Sequence, residues 1–146
     1  MPFHFSLEAV LRYRGSLEDR ERRKLDTLLA RRAALLAQID ESDRARRDLE
    51  NNSHRALTSG VMLAAQLQLC AIESDNIARL THRLELEMNE LQTAILEQTG
   101  RYRDERQRRE LLQSLRDVQL HEYRIVQQRR EQALLDELHL LRHRHN

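Results

Sequence analysis

The sequence predicts an all-α protein, a long antiparallel two-helix coiled-coil hairpin, and three observations carry that prediction. A third of the residues are charged, Gly and Pro together number four and Trp is absent, which is the composition of long helices. Apolar residues recur at alternating three- and four-residue spacing over two long stretches. Between those stretches stands Leu57-Thr58-Ser59-Gly60, the one interior cluster of turn-type residues. So few large side chains would not fill a globular interior at normal packing density, so residues 1–146 are expected to form one extended coiled-coil domain.

Helix one is expected over about residues 6–54. Ser6 suits the N-cap, Glu8 suits the positive end of the helix dipole, and Phe5 and Val10 stand where a hydrophobic staple would form. Three of the five aromatic side chains, Phe3, Phe5 and Tyr13, crowd into this opening stretch, and a staple accounts for Phe5 alone. From Leu25 the seam runs through Leu25, Leu28, Arg32, Leu35, Ile39, Ser42, Arg46 and Leu49, an imperfect a/d series. It weakens at Asn51, Asn52 and Ser53, which places the chain reversal at about residues 54–60.

Helix two is expected over about residues 61–144. Its seam passes through Leu63, Leu67, Cys70, Ile77, Leu84, Met88, Leu91, Ile95 and Tyr102, nine apolar occupants of twelve heptad positions. After the charged run Arg101 to Glu110, apolar residues resume at Leu111, Leu115 and Val118, one or two positions out of register, so a stutter is expected there. Hairpin arms of this length measure roughly 75 Å at ~1.5 Å per residue. They leave Leu134, Leu138 and Leu141 without an intramolecular partner and hence as candidates for contact with another protein.

Net charge is +1 but unevenly spread: residues 1–55 carry +2, 56–100 carry −4 and 101–146 carry +3. Acids precede an arginine by four residues at Glu8, Glu18, Asp19, Asp40, Asp43, Asp75, Glu97, Asp104 and Glu105, a spacing that supports exposed helix. The Arg-rich runs at 18–24 and 101–109 are interrupted by acids and, Tyr102 apart, lack an aromatic platform, so a solvated face accounts for them better than nucleic-acid binding. In a hairpin the two runs come close enough to form one polar belt where the apolar seam lapses.

No chemistry is signalled. Cys70, the one cysteine, sits on the seam as a small apolar side chain, and no intramolecular disulfide is open to it. His139 and His143 share a helix face but have no third ligand, so no metal is expected. Gly15, Gly60 and Gly100 stand alone and cradle no phosphate, so neither cofactor nor catalysis is expected. The longest apolar stretch, Val61 to Ala65, falls far short of the ~20 residues that span a bilayer, and no lysine-led apolar segment opens the chain. The expectation is a soluble, cytoplasmic protein without direct membrane insertion.

The opening Phe3-x-Phe5-x-Leu7-x-x-Val10-Leu11-x-x-Arg14, followed by a charged helix, a polar turn and a second heptad helix, resembles the FliJ family, the coiled-coil stalk proteins of flagellar type III export. The resemblance covers essentially the whole chain. It implies a fold similar to the stalk subunit of rotary ATPases and a non-enzymatic role in motility. It also implies a cytoplasmic protein held peripherally at the inner membrane by its partners: the hexameric export ATPase, the membrane protein of the export gate, and export chaperones.

On this resemblance, Phe3, Phe5, Leu7, Val10, Leu11 and Arg14 become candidates for contact with the ATPase, and Leu49, Leu57, Val61 and Met62 at the tip for contact with the gate. A second reading of the opening cluster stays open, in which Phe3, Leu7 and Leu11 cap the coil by packing on Tyr102 and Leu111. Two other functional readings also stay open: the equivalent stalk of a virulence injectisome, and a self-associating scaffold whose exposed leucines pair with copies of the chain.

Overall fold

A computed structural model describes residues 2–60 and 63–145; the tip candidates Val61 and Met62 lie outside them. Two α-helices make up the fold, α1 (Glu8–Ser59) and α2 (Ala64–His145), and no strand occurs among the described residues. They pack against each other as an all-α helical hairpin. Spatially the chain divides into two compact units, one of Met1–Glu21 with Tyr102–Asn146 and one of Arg22–Arg101.

In the unit of Arg22–Arg101 the seam forms at most of the expected heptad positions, but Leu63 and Leu67, expected on it, are exposed next to the turn. Leu35, Leu84, Met88 and Leu91 make the buried core, with Leu28, Ile39 and Ile95 packed against it. Removing this apolar surface from water is the main stabilising term, at ~25 cal/mol per Å². Arg32 and Arg46, the two charged occupants of the α1 seam, are exposed. Ser42 is buried opposite Thr81, their hydroxyl oxygens 2.8 Å apart. Because Thr81 Oγ1 donates to the Ile77 carbonyl at 2.9 Å, Ser42 is the donor across the seam. That pair joins the two helices beside the apolar core. Cys70 is a half-buried free thiol at a seam position.

The turn comes later than the polar residues suggest. Residues 54–59, expected to be loop, are helical. Their hydroxyls bond back onto the helix instead of opening it: Thr58 Oγ1 donates to the His54 carbonyl and Ser59 Oγ to the Ala56 carbonyl. Gly60 ends α1 with φ of 70°, the left-handed conformation open to a residue without Cβ, and its N–H bonds the Leu57 carbonyl at 3.3 Å. At the start of α2, Gln66 Oε1 accepts from the Leu63 N–H at 3.1 Å, the back-reaching arm of a capping box.

In the unit of Met1–Glu21 and Tyr102–Asn146 three expectations need correction. The N-cap is Leu7 and not Ser6: the Leu7 carbonyl accepts the first helical bond, from Leu11 N–H at 2.9 Å, while Ser6 lies in the preceding turn. With Leu7 as N-cap, Phe5 and Val10 no longer stand at the staple positions, which fall on Ser6 and Leu11; Phe5 is buried and Val10 is 42% exposed. Finally, no stutter occurs. The inward positions of α2 continue at heptad spacing through Tyr102, Glu105, Arg109, Leu112 and Arg116, whereas Leu111, Leu115 and Val118 face solvent, Leu111 with 73% exposure. The physical reason is that charged side chains occupy the inward positions here and pair across the seam.

Candidate functional site

The residues at which contact with a partner was expected fall into three sets, each placed differently by the fold. The first is the N-terminal cluster. Phe5 and Leu11 are buried within their own unit. Phe3 is half-buried, its ring 5.6 Å from that of Tyr123 and tilted at 53°, with the Arg116 guanidinium 5.7 Å from its centroid. Phe3 therefore packs on Tyr123 and Arg116, not on Tyr102 and Leu111. Leu7, Val10 and Tyr13 remain exposed.

Arg14 belongs to a ladder of cross-helix ion pairs, part of which, Glu18–Arg109, lies in the polar belt expected between the two Arg-rich runs. Arg116 Nε donates to Glu8 Oε2 at 3.1 Å. Arg109 Nε donates to Glu18 Oε2, and its Nη2 lies 3.4 Å from Oε1, a bidentate geometry. Arg14 Nη1 stands 3.7 Å from Glu105 Oε2, and Arg108 Nη1 donates to Glu105 Oε1 at 3.0 Å. The hydrogen bond that Arg109 donates to Glu18 holds its guanidinium above the ordinary pKa against the opposing effect of burial. Stability gained from a raised pKa is present below the unfolded value and lost only as pH rises past the folded one, so this pair is intact throughout the neutral range.

A signal for the ladder exists in the sequence. Extending the α2 seam from Tyr102 by threes and fours gives Glu105, Arg109, Leu112 and Arg116. Extending the α1 seam backwards from Leu25 gives Glu21, Glu18, Arg14 and Leu11. Opposite charges then fall on facing positions. Glu18 thus pairs across the helices, as does Glu8 beside the seam, although each also has an arginine four residues on in its own helix.

The second set is the tip. Leu57 is exposed and Leu49 half-buried. Leu49 lines a shallow cleft with Asn52, Ser53, Ala56, Gln66, Leu69 and Cys70, and the exposed Leu63 adds apolar surface nearby in sequence. The third set, Leu134, Leu138 and Leu141, is exposed on a stretch of α2, residues 131–145, whose side chains are all exposed. At 100° per residue these three leucines fall on the helix face that carries Leu112, Arg116 and Tyr123 earlier in α2, so they continue the seam where α1 no longer covers it. The His139 and His143 rings meet edge to face at 5.0 Å on another face.

Among the described residues no group of three or more His, Cys, Asp or Glu is arranged to hold a metal ion, and no helix is long and apolar enough to cross a membrane. The class is therefore an all-α helical hairpin that presents apolar side chains outward at several places. Comparison with known families then specifies it. The chain belongs to the FliJ family: residues 3–146 match the family described as Flagellar FliJ protein. No curated protein and no solved structure matches it. Membership makes the chain a component of the flagellar export apparatus, in a family of structural export components that is not a known enzyme family.

Proposed function

We propose that this chain is a non-enzymatic stalk that binds the hexameric export ATPase through its N-terminal unit, links it to the membrane protein of the export gate through its tip, and assists export chaperones. The observation that carries this reading is the outward placement of apolar residues in the unit of Met1–Glu21 and Tyr102–Asn146. There Leu7 at the N-cap, Val10 and Tyr13 on α1, and Leu111, Leu115 and Val118 on α2 are exposed, while the inward side is filled by Phe5, Leu11 and cross-helix ion pairs. Apolar side chains that contribute nothing to the seam are available for a partner.

A stalk need not catalyse anything. Different contacts with ring subunits in different nucleotide states couple hydrolysis to the position of the stalk or to assembly of the ring, because a ligand shifts an equilibrium by its difference in affinity for the two states. The tip around Leu57 and Leu63 serves the gate, and Leu134, Leu138 and Leu141 serve a chaperone or the ring itself. Localisation at the inner membrane then follows from the partners.

The experiment is a titration of the cognate export ATPase with this chain, reading ATP turnover and complex formation, with Leu7→Ala/Val10→Ala as the variant. Both leucine and valine are exposed, so the variant is expected to keep its fold and lose at least fivefold in affinity. Unchanged affinity with intact helicity would remove the N-terminal unit as the ATPase contact.

A further inference from the structure

We infer that the N-terminal arm, residues 2–21, is a salt-released latch that closes over an apolar surface on α2 and itself. The functional consequence rests on the stalk reading, but the latch is a property of the chain alone.

Three observations lead there. First, the arm is fastened by charge as well as by the burial of Phe5 and Leu11. The pairs Glu8–Arg116, Arg14–Glu105 and Glu18–Arg109 join it to α2, and each has at least one member about a third exposed. Pairs with one member still open to solvent are each worth little and are screened in part by salt, with a Debye length of ~10 Å at 0.1 M falling towards ~4 Å at 0.5 M.

Second, the fastening is imperfect. Glu105 Oε2 is buried without a hydrogen-bond donor, and its ionic partner Arg14 stands at 3.7 Å. A desolvated carboxylate oxygen with no donor offsets part of what the ladder gains.

Third, the arm hides the residues most suited to binding. Phe5 and Leu11 are the buried apolar side chains of this unit among the described residues, and Phe3 is turned inward onto Tyr123. When the arm lifts, α2 presents Leu112, Leu120 and Tyr123 interleaved with Arg109 and Arg116, and the arm presents Phe3, Phe5 and Leu11. Phe3 and Phe5 are thus withheld from a partner in the closed hairpin and offered in the open one. A partner that captures the open arm binds with an affinity reduced by the fraction closed, so anything that weakens the ladder strengthens binding.

The contrast with the unit of Arg22–Arg101 makes the test. There the contacts are Leu35, Leu84, Met88 and Leu91, which salt does not screen. Amide hydrogen exchange of the full chain, without partner, is followed by mass spectrometry at 50 mM and 500 mM NaCl at fixed pH. Peptides covering residues 8–20 are expected to exchange about three- to tenfold faster at high salt, with those covering 35–48 changing less than about twofold. Glu18→Arg should give fast exchange of 8–20 already at low salt, as should the milder Arg109→Gln. The swap Glu18→Arg/Arg109→Glu should restore the slow, salt-sensitive behaviour. Equal salt response in both segments, no salt response in 8–20, or a swap no more protected than Glu18→Arg would each overturn the latch. None of these results involves the ATPase, so failure here leaves the stalk reading standing.

Discussion

Leu111 and Leu112 are neighbours on α2 with opposite fates, and truncating each in turn tests how this helix meets α1. Leu112 is half-buried at an inward heptad position, whereas Leu111 is 73% exposed. Leu→Ala removes three carbons, each contributing about 0.8 kcal/mol when fully buried. For Leu112 most of that is lost, and solvent close to a two-helix seam limits the cavity left behind, which gives a cost of about 1–2 kcal/mol. For Leu111 only about a quarter of the side chain's transfer term is at stake, roughly 0.6 kcal/mol, and the higher helix propensity of Ala offsets a few tenths of it. The expected cost is below about 0.5 kcal/mol. Urea denaturation followed by circular dichroism at 222 nm, with exchange protection of residues 105–120 as a local readout, separates the two. If Leu111→Ala cost as much as Leu112→Ala, α2 would be rotated as a stutter demands and the charged seam would be wrong.

Other outcomes follow from the same coordinates. Ser42→Ala should cost less than about 1 kcal/mol, since Thr81 keeps its bond to the Ile77 carbonyl, while Thr81→Val should cost about 1–3 kcal/mol by leaving the buried Ser42 hydroxyl without its cross-helix acceptor; paired urea melts read the difference. Gly60→Ala should lower stability by about 1 kcal/mol, all of it backbone strain at φ of 70°, because nothing lies within 4 Å of the added methyl; thermal melts check this. Leu134→Ser/Leu138→Ser/Leu141→Ser should shift the urea midpoint little, the three side chains being exposed, but should weaken chaperone or ATPase capture in a pull-down if the stretch serves a partner.

How much of this was legible depends on what each stretch uses to hold its helices together. Around Leu35 and Leu84 the seam is apolar, so the heptad pattern alone places the core and even the half-buried Cys70. Between Tyr102 and Tyr123 the inward positions carry Glu105, Arg109 and Arg116, and a search for apolar periodicity locks onto the outward Leu111, Leu115 and Val118 instead. Charge is ambiguous in a sequence because a solvated face and an ionic seam use the same residues; facing positions of opposite sign resolve it, and only once a register is assumed. At the turn, Thr58 and Ser59 read as loop formers, yet their hydroxyls satisfy carbonyls of the same helix and let α1 run to Ser59. The cluster at the N-terminus was legible as a set but not as to direction: Phe3, Phe5 and Leu11 turn inward, and Leu7, Val10 and Tyr13 outward.

The central claim, a stalk that works by contact with an ATPase ring, is tested most directly by size exclusion with mass detection on the purified chain alone and mixed with its cognate export ATPase, with and without nucleotide. The account predicts a monomer of 17.4 kDa that co-elutes with the ATPase and raises its turnover. A stable homo-oligomer at micromolar concentration that ignores the ATPase would contradict it, and would assign the exposed leucines to self-assembly.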